Sequence, residues 1–497
     1  MFRALRLSLL IALAAVPAGI AAARAPQSAQ APAPRTQTTF GALGRAATDT
    51  LIDRFYVGEG LWRECTAADC RVHNGDWGSD ALTYALDFRS TTLGDARAGA
   101  MLGALARSAR RFDPPCDGAG CSLWSDVPLW DAIANAREYA ADPHDSEALA
   151  KARAAFAAVE DTGIFSGGAC PSIRYQRPFG RGDHLKTLET DSNGVRAAIA
   201  LYDATHERAY LDVAVRRYAA IRHYFLASDV PLYSVYVFDD GRTCVQVPHR
   251  FFASVNGNMI WNGVRLAELT GDDAYRTQAL ATAHAVETVL ADGDGVFADL
   301  QAENDIAEPL VEAMYLLATQ QRDADAKAWI LANAAAAASA RRTDGTFGRF
   351  FDGPPPPGDV SAWQTSGGFA LEMAAAALAP DTSVEVHRWS DATSTMHEEH
   401  RLPATIAFDG AGIALLGTIG DVCCQPGHAR VLLDGVETAS RVGVWQNKSS
   451  AGRRFPHSVL FAWRWPSAGH HVVTLLAADD NAKEGGPYEH LDGYLVP

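Results

Sequence analysis

The stretch HERAYL at positions 206–211 recurs as GDDAYR at positions 271–276, and a fainter copy, DSEAL, stands at 145–149. In each copy, polar residues precede a run whose apolar side chains are three or four residues apart, which is typical of the start of an amphipathic helix. The alanines shared by the copies, Ala148, Ala209 and Ala274, are separated by 61 and 65 residues. Each repeated unit is therefore predicted to be a pair of long helices with its connections.

The helical pattern extends over residues 40–380, as in Leu129, Ile133, Ala136 and Ala140. This length holds about six helical pairs at the observed spacing. Six hairpins close naturally into a toroid with an inner and an outer ring of helices, although an open solenoid would have the same local pattern. We predict a mainly α fold, an (α/α)6 toroid.

Short and often β-branched runs follow residue 380, at 402–408, 412–416, 429–433, 458–463 and 472–476. Turn residues separate them, which predicts a small all-β sandwich of jelly-roll type over residues 383–497. Trp445, Trp463 and Trp465 could stack on sugar faces, but aromatic residues of strands more often pack in the core. This domain is a candidate carbohydrate-binding module.

The first 25 residues have the pattern of a secretory signal peptide. Arg3 and Arg6 precede an apolar run over residues 9–20 that is too short to span a bilayer, and small residues follow it. Residues 26–39 are rich in Ala, Pro, Gln and Thr and are interpreted as a flexible leader. We expect a secreted or periplasmic protein with no membrane insertion after the signal is cleaved.

The eight cysteines suit an oxidising compartment. The spacing suggests two local disulfides and one of longer range, while a disulfide between the adjacent last two cysteines would be strained. A zinc site is not expected, because neither local pair has a second pair of ligands nearby. In chain order the pairs are Cys65 with Cys70, Cys116 with Cys121, Cys170 with Cys244, and Cys423 with Cys424.

The overall charge argues against nucleic acid and anionic membranes as partners. Among 497 residues, 59 are Asp or Glu and 43 are Lys or Arg, which gives a formal net charge of -16. Binding to phosphates or to anionic headgroups requires clustered basic residues. A neutral partner fits better, and we expect a monomer with no cofactor and no metal.

Polar and aromatic clusters recur at intervals of roughly 50–65 residues, a repeat that a single N-cap does not explain. They lie at 75–80, 123–126, 188–193, 254–258, 301–305 and 361–366. If each cluster begins an inner helix, all six meet at one mouth of the ring and form an acidic cleft lined by aromatic residues. Such a cleft suits a polysaccharide, since indole faces bury sugar rings and amide or carboxylate groups bind hydroxyls. The candidate substrate-binding residues are Trp77, Asp80, Trp124, Ser125, Trp130, Asn193, Asn256, Asn258, Trp261, Trp363 and Gln364.

This layout and several short motifs resemble glycoside hydrolase family 76, the endo-acting α-1,6-mannanases with an (α/α)6 toroid. The likeness covers roughly residues 76–378, and its segments are 124–130, 185–194, 252–263 and 343–348. The segment 124–130 is similar to the family segment in which two consecutive aspartates precede an aromatic pair at the start of a helix. The resemblance implies that Asp126 is the general acid/base of a glycosidase that cleaves an α-linked mannan.

The sequence departs from the family at the other aspartate, where it has Ser125. A serine is no glycosidic nucleophile without a base beside it. Three explanations stay open: a displaced carboxylate serves, the mechanism inverts, or catalysis is lost. For the first two, the candidates are Glu189 and Asp191, which open the next inner helix, ahead of Asp80, Glu303 and Asp305.

Two other functions fit the same fold. A toroid of the unsaturated-uronyl hydrolase or polysaccharide lyase type would use Tyr, His or Arg, for which Arg174, Tyr175 and Arg177 are the natural group. A non-catalytic glycan-binding protein is the other alternative, since one of the two carboxylates is missing.

Overall fold

In the computed structural model, the described part of the chain begins at Arg35. The predicted signal peptide and the first part of the leader lie outside the described residues. Among the residues described, no helix is long and apolar enough to cross a membrane. The described residues are 35–73, 85, 89–90, 95–101, 103–104, 125–160, 167–176, 184–298, 306–387, 395–397, 403–420, 428–443, 453–477 and 491–496.

Ten long helices occur in the described part of the chain. They are α1 (Phe40–Phe55), α2 (Val127–Ala141), α3 (Ser146–Glu160), α4 (Leu188–Thr205), α5 (Arg208–Phe225), α6 (Ala253–Thr270), α7 (Asp273–Val289), α8 (Glu308–Gln320), α9 (Ala324–Ser339) and α10 (Ala362–Leu378). Helices α2 and α3, α4 and α5, α6 and α7, and α8 and α9 pack as hairpins. The inner ring runs from α2 through α4, α6 and α8 to α10, each packed on the next, and α1 packs against α10. The first and last helices therefore meet, and the predicted toroid is confirmed.

The repeated stretch at 206–211 and 271–276 is the tight turn of a hairpin. α4 and α6 end at His206 and Gly271, whose φ angles of 58° and 74° place them in the left-handed conformation that closes a helix. The next helices begin two residues later, and Asp272 caps α7 by accepting a hydrogen bond from the N–H of Ala274 at 2.9 Å. Such short turns keep paired helices antiparallel and adjacent.

Short and long connections alternate along the chain. Those at 142–145, 206–207, 271–272 and 321–323 lead from inner to outer helices, whereas the long ones at 161–187, 226–252, 290–307 and 340–361 lead to the starts of inner helices. Because paired helices are antiparallel, the described parts of the long connections lie at the end of the ring where inner helices begin. We call this end the mouth of the toroid.

Small sheets stabilise the long connections at the mouth. One contains β2 (Tyr56–Gly58), β3 (Leu61–Arg63) and β4 (Val72–His73). The other contains β5 (Leu185–Thr187), β6 (Tyr236–Asp239) and β7 (Cys244–Gln246). The disulfides Cys65–Cys70 and Cys170–Cys244 form as predicted. The other four cysteines lie outside the described residues.

The C-terminal part is antiparallel β structure, as predicted. The strands are β1 (Arg35–Thr39), β8 (Ser383–His387), β9 (Thr395–His397), β10 (Ala404–Gly420), β11 (His428–Leu433), β12 (Val436–Gly443), β13 (Arg454–Ala477) and β14 (Gly493–Val496). One sheet has the order β12–β11–β13–β10–β14–β9, and a separate two-stranded sheet pairs β1 with β8. The longest ladder joins β10 to β13, and its register shifts at three places.

The tryptophans of this sheet pack on protein side chains. Trp465 stacks on His471, with ring centroids 4.1 Å apart, and Trp463 lies parallel to Phe461 at 6.2 Å. Both indoles are half-buried. Trp445 lies outside the described residues.

Strand β13 packs tightly on the mouth of the toroid. Arg464 Nε lies 2.9 Å from Asp352 Oδ1, and Gln364 Nε2 in the first turn of α10 donates to Ser458 Oγ at 3.4 Å. A Cβ added at Gly353 would lie 2.8 Å from Cβ of Ala462. Buried apolar side chains continue from the helices into the sheet as one cluster. The sheet and the helices it contacts therefore share one apolar core.

Candidate functional site

Asp126 directly precedes α2, but its carboxyl group makes no hydrogen bond that caps the helix. Its Oδ2 instead accepts a hydrogen bond from Nε1 of Trp130, one turn along α2, at 3.1 Å. Burial raises the pKa of Asp126, and the hydrogen bond from the indole, which favours the ionised form, only partly opposes this rise. The carboxyl group thus keeps its proton above the usual pH range of an aspartate, and the residue as a whole is half-buried.

Ser125 is held beside it by the backbone. The serine is 1% exposed, and its N–H donates to the carbonyl oxygen of Gln176 at 2.9 Å. Its hydroxyl has no hydrogen-bond partner in the described part of the chain. Two residues before Gln176, the N–H of Arg174 donates to Oδ2 of Asp191 on α4 at 2.9 Å. The segment 174–176 therefore places the starts of α2 and α4 side by side.

Glu189 lies in the first turn of α4 and is partly exposed. Thr187, the N-cap, accepts from the N–H of Glu189 at 3.2 Å and donates from Oγ1 to Oε2 of the same residue at 3.3 Å. The unpaired N–H groups of a first turn stabilise a negative charge there. Glu189 is accordingly a carboxylate suited to its ionised form, at the same end of the ring as Asp126.

Asp191, two residues further on, lies between the inner and outer rings. It is completely buried, and Nε of Arg217 on the outer helix α5 is 3.6 Å from its Oδ1. Arg217 also pairs with Glu160 on α3, and Nη2 of Arg174 binds that glutamate at 3.0 Å. Burial raises the pKa of Asp191 to about 7, although the positive charges of Arg174 and Lys186 lower it in part. We therefore leave Asp191 out of the candidate catalytic pair.

Two of the predicted amide residues meet inside the ring. Asn258 on α6 donates from Nδ2 to Oδ1 of Asn193 on α4 at 2.9 Å, and its own Oδ1 accepts from Nη1 of Arg196 at 2.8 Å. Both amides are buried. They join neighbouring inner helices, so their main visible role is to hold the ring together.

A charged cluster crosses the interior of the toroid below the mouth. Glu312 on α8 accepts from Nη2 of Arg137 on α2 at 3.0 Å and also pairs with Arg196. Burial alone would raise the pKa of Glu312, but the two guanidinium groups lower it below its ordinary value. The guanidinium of Arg196 also lies over the ring of Trp261, 4.6 Å from its centroid. The cluster joins four inner helices.

Sequence reasoning missed this cluster. Arg196 is three residues after Asn193 and so lies on the same face of α4, and Glu312 interrupts the apolar run 309–317 of α8. A charged residue within an otherwise apolar inner helix was the available signal.

Three further predicted residues serve the protein's own packing. Asn256 bonds to the backbone N–H and C=O of Tyr233 and to the C=O of Phe252. Gln364 completes a capping box with Ser361 at the start of α10. Trp363 is buried under the guanidinium of Arg349, 5.2 Å from the ring centroid.

Several candidates lie outside the described residues. These are Trp77, Asp80, Trp124, Arg177, Glu303 and Asp305. No group of three or more His, Cys, Asp or Glu residues that could hold a metal ion occurs in the described ranges.

The described members of the lyase triad do not converge. The side chain of Arg174 binds Glu160 on the outer helix α3. The ring of Tyr175 lies against the ammonium group of Lys186, at 4.6 Å, and burial raises the pKa of this tyrosine. A lyase base needs a phenol that ionises more readily, not less.

No family model matches the sequence, and no curated protein matches it at a significant level. Solved structures do match. The chain is similar to the family 76 α-1,6-mannanase of Salegentibacter sp. HEL1_6, with a TM-score of 0.58 and 18% identity over 68% of this chain and 99% of that one. It is also similar to the family 76 α-mannanase of Bacteroides thetaiotaomicron, with a TM-score of 0.56 and 18% identity over 68% and 96% of the two chains.

A variant of the Salegentibacter enzyme is also similar, with a TM-score of 0.58 and 17% identity over 69% and 100% of the chains. Two consecutive aspartates are replaced in that variant, which is described as inactive and holds an α-1,6-mannotetraose. At these identities the likeness establishes the fold. The chain has the helical toroid of the family 76 enzymes, and the resemblance predicted from the sequence is confirmed at that level.

Proposed function

We propose that this chain is a glycoside hydrolase that cleaves within an α-linked mannan. The observation that carries the proposal is the state of Asp126. This half-buried residue lies at the mouth of a mannanase-type toroid, burial raises the pKa of its carboxyl group, and the indole of Trp130 orients that group. A glycosidase needs one carboxyl group that is protonated when substrate arrives. Asp126 has the environment that this role requires.

In the proposed reaction, Asp126 gives its proton to the glycosidic oxygen as the bond to the anomeric carbon breaks. Glu189 is the partner carboxylate, because it is partly exposed in the first turn of the neighbouring inner helix, where the ionised form is favoured. The partner must be ionised when the acid is protonated. Burial raises the pKa of Asp126, and the first turn of α4 favours a negative charge at Glu189.

The charge of the chain supports a neutral substrate. A chain with a formal net charge of -16 disfavours polyanionic polymers as substrates. Export through the predicted signal at residues 1–25 would bring the enzyme to neutral polymers outside the cytoplasm.

The test compares the wild-type chain with Asp126→Asn on purified α-mannans, with release of reducing ends as the readout. The variant should lose at least about 100-fold in rate, since general acid catalysis contributes on the order of 10²–10⁴, while its melting temperature stays near that of the wild type. Asp142→Asn, an exposed position at the other end of α2, is the matched control and should keep full activity. Full activity in Asp126→Asn would remove the assignment.

Ser125 favours a second candidate, a glycan-binding protein without catalytic activity. A toroid that lacks one of two consecutive aspartates could retain its cleft and lose the reaction. Calorimetric binding of α-1,6-mannotetraose by wild-type protein, with no reducing ends released from any mannan, would support this candidate against the first.

A further inference from the structure

Lys186 on β5 is completely buried, and its ammonium group binds the start of the segment 167–176. Its Nζ donates to the carbonyl oxygen of Cys170 at 2.6 Å and also to that of Gly167. Its counter-charge is Asp239 on β6, 3.0 Å away. A lysine is almost never fully buried unless it is paired, and these contacts offset the loss of hydration of the ammonium group. Lys186 therefore fixes the backbone of the segment where the segment begins.

Asp239 binds the same stretch of backbone from its N–H side. The carboxylate accepts from the N–H groups of Ala169 at 2.9 Å and of Cys170 at 3.0 Å. A disulfide joins Cys170 to Cys244 on β7, the strand that pairs with β6. The ion pair of Asp239 with Lys186 therefore holds both the N–H and the C=O of Cys170.

Lys186 also contacts the other end of the segment. Its Nζ lies 4.6 Å from the ring centroid of Tyr175, and the backbones of the two residues form an antiparallel bridge. The N–H of the next residue, Gln176, donates to the C=O of Leu185 at 3.0 Å. The C=O of Gln176 then accepts from the N–H of Ser125 at 2.9 Å. A continuous series of contacts thus leads from Lys186 to the residue before Asp126.

A buried ion pair is weak evidence for stability, since apolar side chains of similar volume often do as well, and its best-attested use is to specify one arrangement of the chain. We propose that Lys186 is a positioning residue for the general acid. By holding both ends of the segment 167–176 it fixes the C=O of Gln176, and through the backbone of Ser125 it fixes the carboxyl group of Asp126. This inference rests on the proposed glycosidase function.

Loss of this position should matter only where the proton of Asp126 matters. The sugar hydroxyl that leaves from a mannan needs a proton as the bond breaks, whereas a dinitrophenolate is a weak base and leaves without one. A displaced acid should therefore slow the cleavage of α-1,6-mannotetraose and spare the dinitrophenyl glycoside of α-1,6-mannobiose. A general loss of structure would slow both reactions alike.

The first test uses the double variant Lys186→Met with Asp239→Asn. Both charges are removed together, so no unpaired charge stays buried, and the asparagine oxygen can still accept from the backbone N–H groups of residues 169 and 170. With an acid displaced by about 1 Å, kcat on α-1,6-mannotetraose should fall about 100-fold at an unchanged KM. The rate on the dinitrophenyl glycoside should stay close to that of the wild type. Asp126→Asn should show the same contrast between the two substrates.

Arg341→Met with Glu372→Gln is the matched control. It removes another buried ion pair, 3.2 Å apart, between the residue two after α9 and the interior of α10. Any loss of rate in this control should be equal on the two substrates. Tyr175→Leu keeps both charges of the proposed device and removes only the ring contact, so it should show the contrast at smaller size even if the double variant does not fold. Equal losses on both substrates, or no loss, in Tyr175→Leu and in a folded double variant would overturn the proposal.

The second test needs no catalysis. Hydrogen exchange followed by mass spectrometry reports how often the N–H of Ser125 leaves the C=O of Gln176. A peptide that contains Ser125 should exchange faster in the double variant than in the wild type, and peptides from α9 should be unchanged. Unchanged exchange at Ser125 would overturn the proposal. If the wild type cleaves neither substrate, the proposed function fails, and the exchange at Ser125 alone decides whether Lys186 positions Asp126.

Discussion

Nε1 of Trp130 donates to Oδ2 of Asp126 at 3.1 Å, across one turn of the helix that Asp126 precedes. This bond stabilises the ionised carboxylate and so opposes the rise in pKa that burial causes. In Trp130→Phe the opposing bond is gone, and the pKa of Asp126 should rise further. The alkaline limb of the kcat/KM profile on mannan should then move to higher pH, while the maximum falls because the acid is less well oriented.

Trp329→Phe is the matched control for that experiment. Its indole lies on the outer helix α9, is also largely buried, and its Nε1 has no hydrogen-bond partner among the described residues. It should leave both limbs of the profile in place. A shift of the alkaline limb to lower pH in Trp130→Phe would mean that the indole does not act on Asp126 as inferred.

The tight turns were predictable from the sequence because they are local. A left-handed residue followed by a capping residue decides where α4 and α6 end and where the next helices begin, and both signals lie within a few positions. The disulfide Cys65–Cys70 was predictable for the related reason that only four residues separate its two cysteines.

The roles of Glu189 and Asp191 could not be separated in this way. Nearly every residue in the first turns of α4 is buried, with neighbours on both the inner and outer rings. An amphipathic pattern that would tell one face from the other is therefore absent from this part of α4. The position of Asp191 depends on Arg217 and Glu160, which lie on other helices. The contacts of β13 with the mouth likewise join residues that are far apart in the sequence.

Gly194 on α4 leads to a prediction about this ion cluster. A Cβ at this position would lie 1.2 Å from Nη1 of Arg217, so Gly194→Ala must displace that guanidinium. Alanine favours a helix by about 1 kcal/mol over glycine, but a buried charge left without its partner costs about 3–5 kcal/mol. We expect a net loss of about 3 kcal/mol in the free energy of unfolding, measured by urea denaturation.

The double variant Gly194→Ala with Arg217→Met checks the cause. Without a guanidinium to displace, the added methyl group should cost little relative to Arg217→Met alone. An equal loss in both backgrounds would show that the glycine matters for another reason.

The buried ion pair between Lys186 and Asp239 gives a prediction about acid stability. The two groups are 3.0 Å apart and neither side chain is exposed. Burial alone would raise the pKa of Asp239, but hydrogen bonds from the N–H groups of Ala169, Cys170 and Gly241 and from Lys186 outweigh it and lower the pKa to about 2. Asp239→Asn should lose about 3 kcal/mol at pH 7, because it leaves the ammonium of Lys186 buried without a counter-charge.

A depressed pKa stabilises the fold above the ordinary range of an aspartate, and this contribution disappears as the pH falls from about 4 toward 2. The difference between wild type and Asp239→Asn in urea denaturation should therefore shrink at pH 3. Asp240→Asn, the exposed neighbour, should differ little from wild type at either pH. A pH-independent loss in Asp239→Asn would contradict the assignment.

Asp292 and Asp352 make the contact between the toroid and β13 sensitive to pH in the opposite direction. The two carboxyl groups hydrogen-bond to each other, and Asp352 also pairs with Arg464. Burial and the charge of Asp352 raise the pKa of Asp292 from its ordinary value of 3.8 to about 7. The folded state therefore binds a proton that the unfolded chain releases, and stability should decrease as the pH rises from about 4 to about 7.

Asp292→Asn keeps an oxygen that can accept from the N–H groups of Asp294 and Val296, and it never ionises. At pH 8 the variant should exceed the wild type by roughly 1–2 kcal/mol in the free energy of unfolding, a figure reduced for partial solvent exposure, and at pH 4.5 the two should nearly coincide. Asp142→Asn, at an exposed position just after α2, is the control and should show no such dependence. Equal gains at both pH values would mean that Asp292 does not carry the shared proton.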